Sequence, residues 1–216
     1  SIINYKTLDE FESLSQNLYT CAQFLWEKDT LKVKFLDGNE NVKNRVKQTA
    51  KQWEQYCSIV FDFSDAPLPD ITISFRFGVN ESCIGNTSQY QSPSMKLATL
   101  RESSPQQQFD RVVLHEFGHA LGFFHEHLHP ALEIPWNEEY LFEYFGRSPN
   151  NWSREKTRKN LLEKPAFSNC SGAPDIESIM MYEITGRMVS DPAFITIPPN
   201  RLSELDKRNI ASYYPK

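Results

Sequence analysis

All five histidines of this 216-residue chain fall within a short window, at His115, His119, His125, His127 and His129. The first two belong to the run His115-Glu116-Phe117-Gly118-His119. Around them Val112, Val113, Phe117, Ala120 and Leu121 recur at helical spacing, which predicts a helix over Phe109 to Leu121. Residues four apart share one face of a helix, so both imidazoles reach one point. His125 comes six residues after His119, where a continuing helix would turn it away. The chain must therefore bend, and Gly122 supplies the left-handed stop. The full string is H-E-x-x-H-x-x-G-x-x-H, and any fold for this chain has to bring the third imidazole back to the first two.

That arrangement suits one catalytic zinc ion. Three neutral imidazoles leave a tetrahedral zinc with one open position. The ion lowers the pKa of its bound water to about 7. Glu116, beside the first ligand, is placed to accept the water proton during attack on a carbonyl carbon and to pass it to the leaving group. The zinc polarises the carbonyl and holds the developing oxyanion. A Ser–His–Asp mechanism has no histidine to use outside this window. The net charge of −5 argues against a nucleic-acid partner. No run approaches the roughly 18 apolar residues of a membrane helix, and the opening Ser1 to Lys6 lacks the character of a secretory signal.

The expected fold class is α+β. An apolar set from Leu8 through Leu25 has helical spacing. Strands are expected at Leu31–Leu36, Ser58–Phe63, Ile71–Phe77 and Met95–Leu100, with a long helix from Asn41 to Cys57. After His125 prolines punctuate a loop-rich half, with short helices at Asn137–Phe145 and Ser153–Leu162. Ser203 to Asp206 is a capping-box variant that opens a last helix to about Tyr213. The division is a lead of residues 1–27, then a catalytic domain of 28–216 with an upper part 28–125 and a lower part 126–216.

The histidine string resembles the extended motif of the metzincin zinc endopeptidases. Ser178-Ile179-Met180-Met181-Tyr182 is similar to their second marker, a methionine turn, which makes Met180 the apolar floor beneath the metal. Glu126 directly after His125, and Tyr182 two residues after Met180, resemble the astacin branch. The resemblance implies that Tyr182 ligates zinc and swings to support the transition state, and that Glu126 is structural. It also implies a metzincin, zincin-like fold: a twisted, mostly parallel sheet with backing and active-site helices, then a loop-rich subdomain ending in a helix. The activity implied is that of a secreted, monomeric zinc-dependent endopeptidase with a protein or peptide substrate.

The match is divergent and closer to a microbial-type relative, because the run after His125 lacks the usual Arg and Asp residues. His127 and His129 are expected at the surface or behind the ligands rather than on the ion. The four cysteines, Cys21, Cys57, Cys83 and Cys170, fit either two disulfides in an exported protein or buried thiols. Cys21 admits a further reading. A thiolate is a strong zinc ligand, so residues 1–27 would be an inhibitory prosegment of a zymogen, with Cys21 on the ion in the latent form. Ile184 to Pro192 is expected to wall the substrate pocket, where Arg187 suits an acidic side chain. Extended substrate is expected to pair with a sheet edge near Asn80–Tyr90. Two other functions share the motif: an inactive zinc-holding binding module, and a zinc hydrolase of non-peptide amides or esters.

Overall fold

The computed structural model describes residues 22–76, 78–148, 150–164 and 174–216. Cys21, Cys170 and nearly all of the apolar set Leu8–Leu25 lie outside the described residues. A five-stranded sheet runs in the order β2–β1–β3–β5–β4. Its strands are β1 (Thr30–Phe35), β2 (Val60–Asp62), β3 (Ile71–Ser74), β4 (Asn80–Ser82) and β5 (Met95–Leu97). The first four strands in that order are parallel; β4 closes the row antiparallel to β5, with Asn80 opposite Leu97 and Ser82 opposite Met95. Position in the sheet accounts for the side-chain pattern. β1 alternates at its start, with Leu31 and Val33 buried, whereas central β3 is buried at all its positions.

Helix α1 (Glu40–Ala50) starts where Asn39 Oδ1 accepts the amide of Val42 at 2.9 Å, and it buries Val42, Val46, Thr49 and Ala50. It is shorter than the expected Asn41–Cys57 helix. After Ala50 the chain tightens into a separate 3-10 turn, Trp53–Gln55, which drops the Trp53 indole into the core with its Nε1–H on Leu114 O (3.1 Å). Helix α2 (Gln106–Ala120) starts three residues before its expected boundary, behind Pro105. It packs across α1 under the sheet, with Phe117 edge-on to Phe61 at 4.8 Å.

The helix ends as expected at Gly122, whose φ is +108°. Gly122 N–H reaches His119 O (2.8 Å) and Phe123 N–H reaches Gly118 O (3.0 Å), the paired bonds of a Schellman stop. A left-handed φ there would strain any residue with a side chain.

The second half holds α3 (Glu138–Gly146), α4 (Arg154–Thr157), a π-helical turn at Arg158–Leu162 and α5 (Glu204–Tyr213). Leu141, Phe145, Trp152, Met181 and Ile184 help build a second apolar cluster there. The last helix returns to the first core, where Leu202, Ile210 and Tyr214 join Ile179 and Met180. The start of the described chain meets it. Phe24 and Trp26 are buried, Trp26 Nε1–H donates to Ala120 O (2.8 Å), and Asn86 Nδ2 donates to Gln23 O and Leu25 O. Tyr214 locks this corner: its oxygen accepts the Trp26 amide at 3.1 Å and its O–H donates to Leu121 O at 2.8 Å.

Tyr214→Phe leaves that buried N–H and C=O without their partner, which costs about 1–3 kcal/mol. Urea denaturation should show a loss of that size with the fold retained; an unchanged midpoint would remove Tyr214 from the list of structural ties.

Candidate active site

Helix α2 sets His115 and His119 one turn apart, and the stop at Gly122 returns the chain so that His125, in extended backbone, faces them. The Nε2 atom of His125 lies 3.2 Å from Nε2 of His115 and 3.2 Å from Nε2 of His119. His115 Nδ1–H donates to Ile179 O (2.8 Å) and His119 Nδ1–H to Phe123 O (2.7 Å). These bonds fix the neutral tautomers, so both Nε2 atoms present bare lone pairs. His125 can give a proton to only one of them, which leaves the cluster short of a positive centre. Two nitrogens about 2.0–2.1 Å from one zinc at the tetrahedral angle sit roughly 3.3 Å apart, so the donor set fits that ion. Among the described residues this is the one His, Cys, Asp and Glu group placed to hold a metal. Burial keeps the rings neutral, holding His119 down to about 3 and His115 and His125 well below the ordinary imidazole value.

Glu116 is almost wholly buried and lines, with His115, a cleft of about 390 Å³. Met180 lies against α2 at Gly118. A Cβ on Gly118 would come within 2.4 Å of the Met180 sulfur, so the missing side chain lets the thioether approach the helix between the two histidines. The Met180 carbonyl accepts Glu126 N–H at 3.0 Å, tying the segment around Met180 to the residue after His125.

The family model of the astacin peptidases matches residues 18–137. The chain belongs to the astacin family. It is a zinc metalloendopeptidase, and of the three functional readings of the motif the endopeptidase stands. A structure of myroilysin is similar at 31% identity and a TM-score of 0.84, covering 91% of this chain and 98% of that one. A second myroilysin crystal structure, also 31% identical, has a TM-score of 0.70 over 95% and 93% of the two chains. High choriolytic enzyme 1, a hatching enzyme zinc-protease from the medaka fish Oryzias latipes, shares the fold at 17% identity and a TM-score of 0.65, over 91% and 98%. No curated protein matches in sequence.

In this astacin Tyr182 stands at the cleft, its ring edge-on to His125 at 5.6 Å and 4.9 Å from His127. Burial pushes its phenol up to about 12. Glu126 is pushed up to about 8 by burial, while its Oε1 accepts the amide of Asp175 at 2.8 Å. Of the two placements expected for His127 and His129, at the surface or behind the ligands, the structure excludes the surface. Both are buried, because the 3-10 turn Glu126–Leu128 folds the chain inward. His127 Nε2–H donates to Asn160 O at 3.1 Å, and His129 Nδ1 accepts the amide of Ala131 at 3.1 Å. Cys57 and Cys83 are free thiols, so the thiol alternative holds for these two. Arg187 does not line the cleft; its guanidinium lies over the Tyr140 ring at 4.6 Å. Besides Glu116, the charged side chains of the cleft are Arg111 of α2 and Glu183, 3.9 Å apart.

Sequence reading missed the carbonyls that aim the ligands, Ile179 O and Phe123 O, and missed Asp206 behind the first of them. Backbone acceptors leave no residue signature. Asp206 carries one, the capping box, but that motif announces only where a helix starts.

The pH behaviour of the metal-free protein follows from burial. His119 and His127, held down to about 3 and about 4, refuse protons that the unfolded chain binds below about 6.5. The unfolded state therefore binds more protons in that window, and stability rises with pH through it. With the metal chelated, the urea midpoint should fall as pH drops from about 7 to about 5. A flat profile would mean that the imidazoles are not buried in neutral form.

Proposed function

We propose that peptide bonds are cleaved at the three-histidine cluster with Glu116 as general base and then general acid. The observation that carries this reading is the convergence of three Nε2 atoms beside a buried carboxylate on one wall of an open cleft. Bound zinc supplies Lewis acidity toward the peptide carbonyl and toward the attacking water. The Nδ1 bonds of His115 and His119 hold the rings in the form that binds it. Glu116 takes the proton of the water on a carboxylate oxygen and delivers it to the departing amine nitrogen. Tyr182, whose raised pKa keeps its O–H at working pH, donates a hydrogen bond to the oxyanion. Met180 is the floor that keeps water from beneath the ligands, and Glu126 and Gly122 are structural.

Substrate lies extended along the free side of β4, whose Asn80 lines the cleft. The working molecule is a monomer in which the cleft separates 28–125 from 126–216. Of the expected lead 1–27, the residues from Gln23 onward belong with the core, because Phe24 and Trp26 are buried and Asn86 bonds Gln23 O and Leu25 O, so a removable lead ends before Gln23. Export rests on the family likeness, to which the free thiols Cys57 and Cys83 add nothing.

Casein cleavage should be abolished by a chelator and restored by zinc. Glu116→Gln should retain zinc and lose about 10²–10⁴-fold in kcat/KM; persistent cleavage by that variant overturns the role given to Glu116. Tyr182→Phe should lower kcat about 10²–10³-fold, the usual worth of an oxyanion donor, with a smaller change in KM. A raised KM with kcat retained would reassign Tyr182 to substrate binding.

A further inference from the structure

The two histidines of α2 are aimed by very different means. His119 leans on Phe123 O, four residues away and set by the Schellman stop. His115 leans on Ile179 O, 64 residues away, in a segment that is neither helix nor strand. Something must hold that carbonyl in place. The next buried group along is the Asp206 carboxylate, in the first turn of α5. Its Oδ2 accepts the amides of Ile179 and Ser203, both at 2.9 Å, and its Oδ1 accepts Ser178 Oγ–H at 2.7 Å. Ser178 Oγ in turn accepts the amide of Met180 at 3.0 Å. One carboxylate thus fastens the methionine turn at residues 178, 179 and 180.

We propose that Asp206 is a positioning residue for the metal ligand His115, acting through the backbone of Ser178–Ile179. The inference rests on the reading of His115 as a ligand. A carboxylate suits the place because three donors point at it and it offers two oxygens. Asparagine would turn an NH₂ toward an N–H. Removing the group leaves buried amides at Ile179 and Ser203, and the turn must shift to hydrate them. Ile179 O then loses its line to His115 Nδ1, and the ring gains freedom about its χ angles. Groups that orient a ligating histidine typically set metal affinity by 10–100-fold.

The test is zinc affinity of the purified protein, measured by competition with a chromophoric chelator, together with the visible spectrum of the cobalt-substituted form. Asp206→Ala and Asp206→Asn should raise the zinc dissociation constant about tenfold or more and alter the cobalt bands. Ser203→Ala is the control. It removes the cap hydroxyl from Asp206 N while leaving the bonds to Ser178 and Ile179, so it should lower Tm with zinc affinity unchanged. If Asp206 serves only to cap α5, all three variants lose Tm and none changes in zinc affinity or cobalt spectrum, which overturns the proposal. Ser178→Ala, which takes away the Oδ1 bond and the hydroxyl that accepts the Met180 amide but keeps the Ile179 bond to Oδ2, carries the comparison if neither Asp206 variant folds. It should weaken zinc binding by a smaller factor, and unchanged affinity again overturns the proposal. Failure of the unmutated protein to bind zinc would overturn the histidine site itself, a result distinct from unchanged affinity in the variants.

Discussion

Three imidazoles, His119 and His125 buried and His115 part-buried, with His125 Nε2 3.2 Å from each of the other two Nε2 atoms, form a repulsive cluster unless a cation sits among them. Two of the lone pairs are fixed outward by Nδ1 bonds to carbonyls, and burial denies the rings the protons that would otherwise relieve the strain. Much of the surrounding architecture makes sense as support for that unfavourable arrangement. Gly122 permits the reversal that brings in His125, Gly118 lets Met180 close from below, and the sheet and α1 fix the helix from behind.

The support divides by range. Around His119 it is local: a helix stop supplies the carbonyl, and a few residues of sequence encode it. Around His115 it is remote, since the carbonyl comes from the methionine turn and the turn is held by the last helix. The same helix ends at Tyr214, which ties the start of the described chain to the end of α2. The two apolar cores are therefore not stacked in chain order; the last helix belongs to the first of them.

What was legible in the sequence follows that division. The motif residues, the bend at Gly122 and four of the five strands could be read because each depends on spacing within a short window, whereas their mostly parallel pairing came only with the family resemblance. Of the segment Asn80–Tyr90 expected at a sheet edge, Asn80–Ser82 forms the edge strand β4, while Gly85–Tyr90 is a 3-10 helix. The end of α1 was misplaced because Trp53 and Cys57 keep helical spacing while the backbone tightens to bury the indole. Whether His127 and His129 lie at the surface or behind the ligands stayed open, since polarity alone does not reveal a turn that buries them against Asn160 and Ala131. Asp206 was recognised as a cap and no more, because its second set of partners lies 27 and 28 residues away.

The long span between His115 and its carbonyl bears on the order of folding. Bringing together groups 64 residues apart, or Trp26 and Tyr214 across 188, carries a loop-closure cost that a helix turn does not. Contacts of that range form late relative to local ones. The ligand helix with its glycine stop is thus a nearly self-contained element that can assemble early. The orientation of its first histidine waits for the end of the chain to dock. The helix that carries the first histidine and the carbonyl that orients it are in this sense parts assembled from opposite ends of the chain's second half.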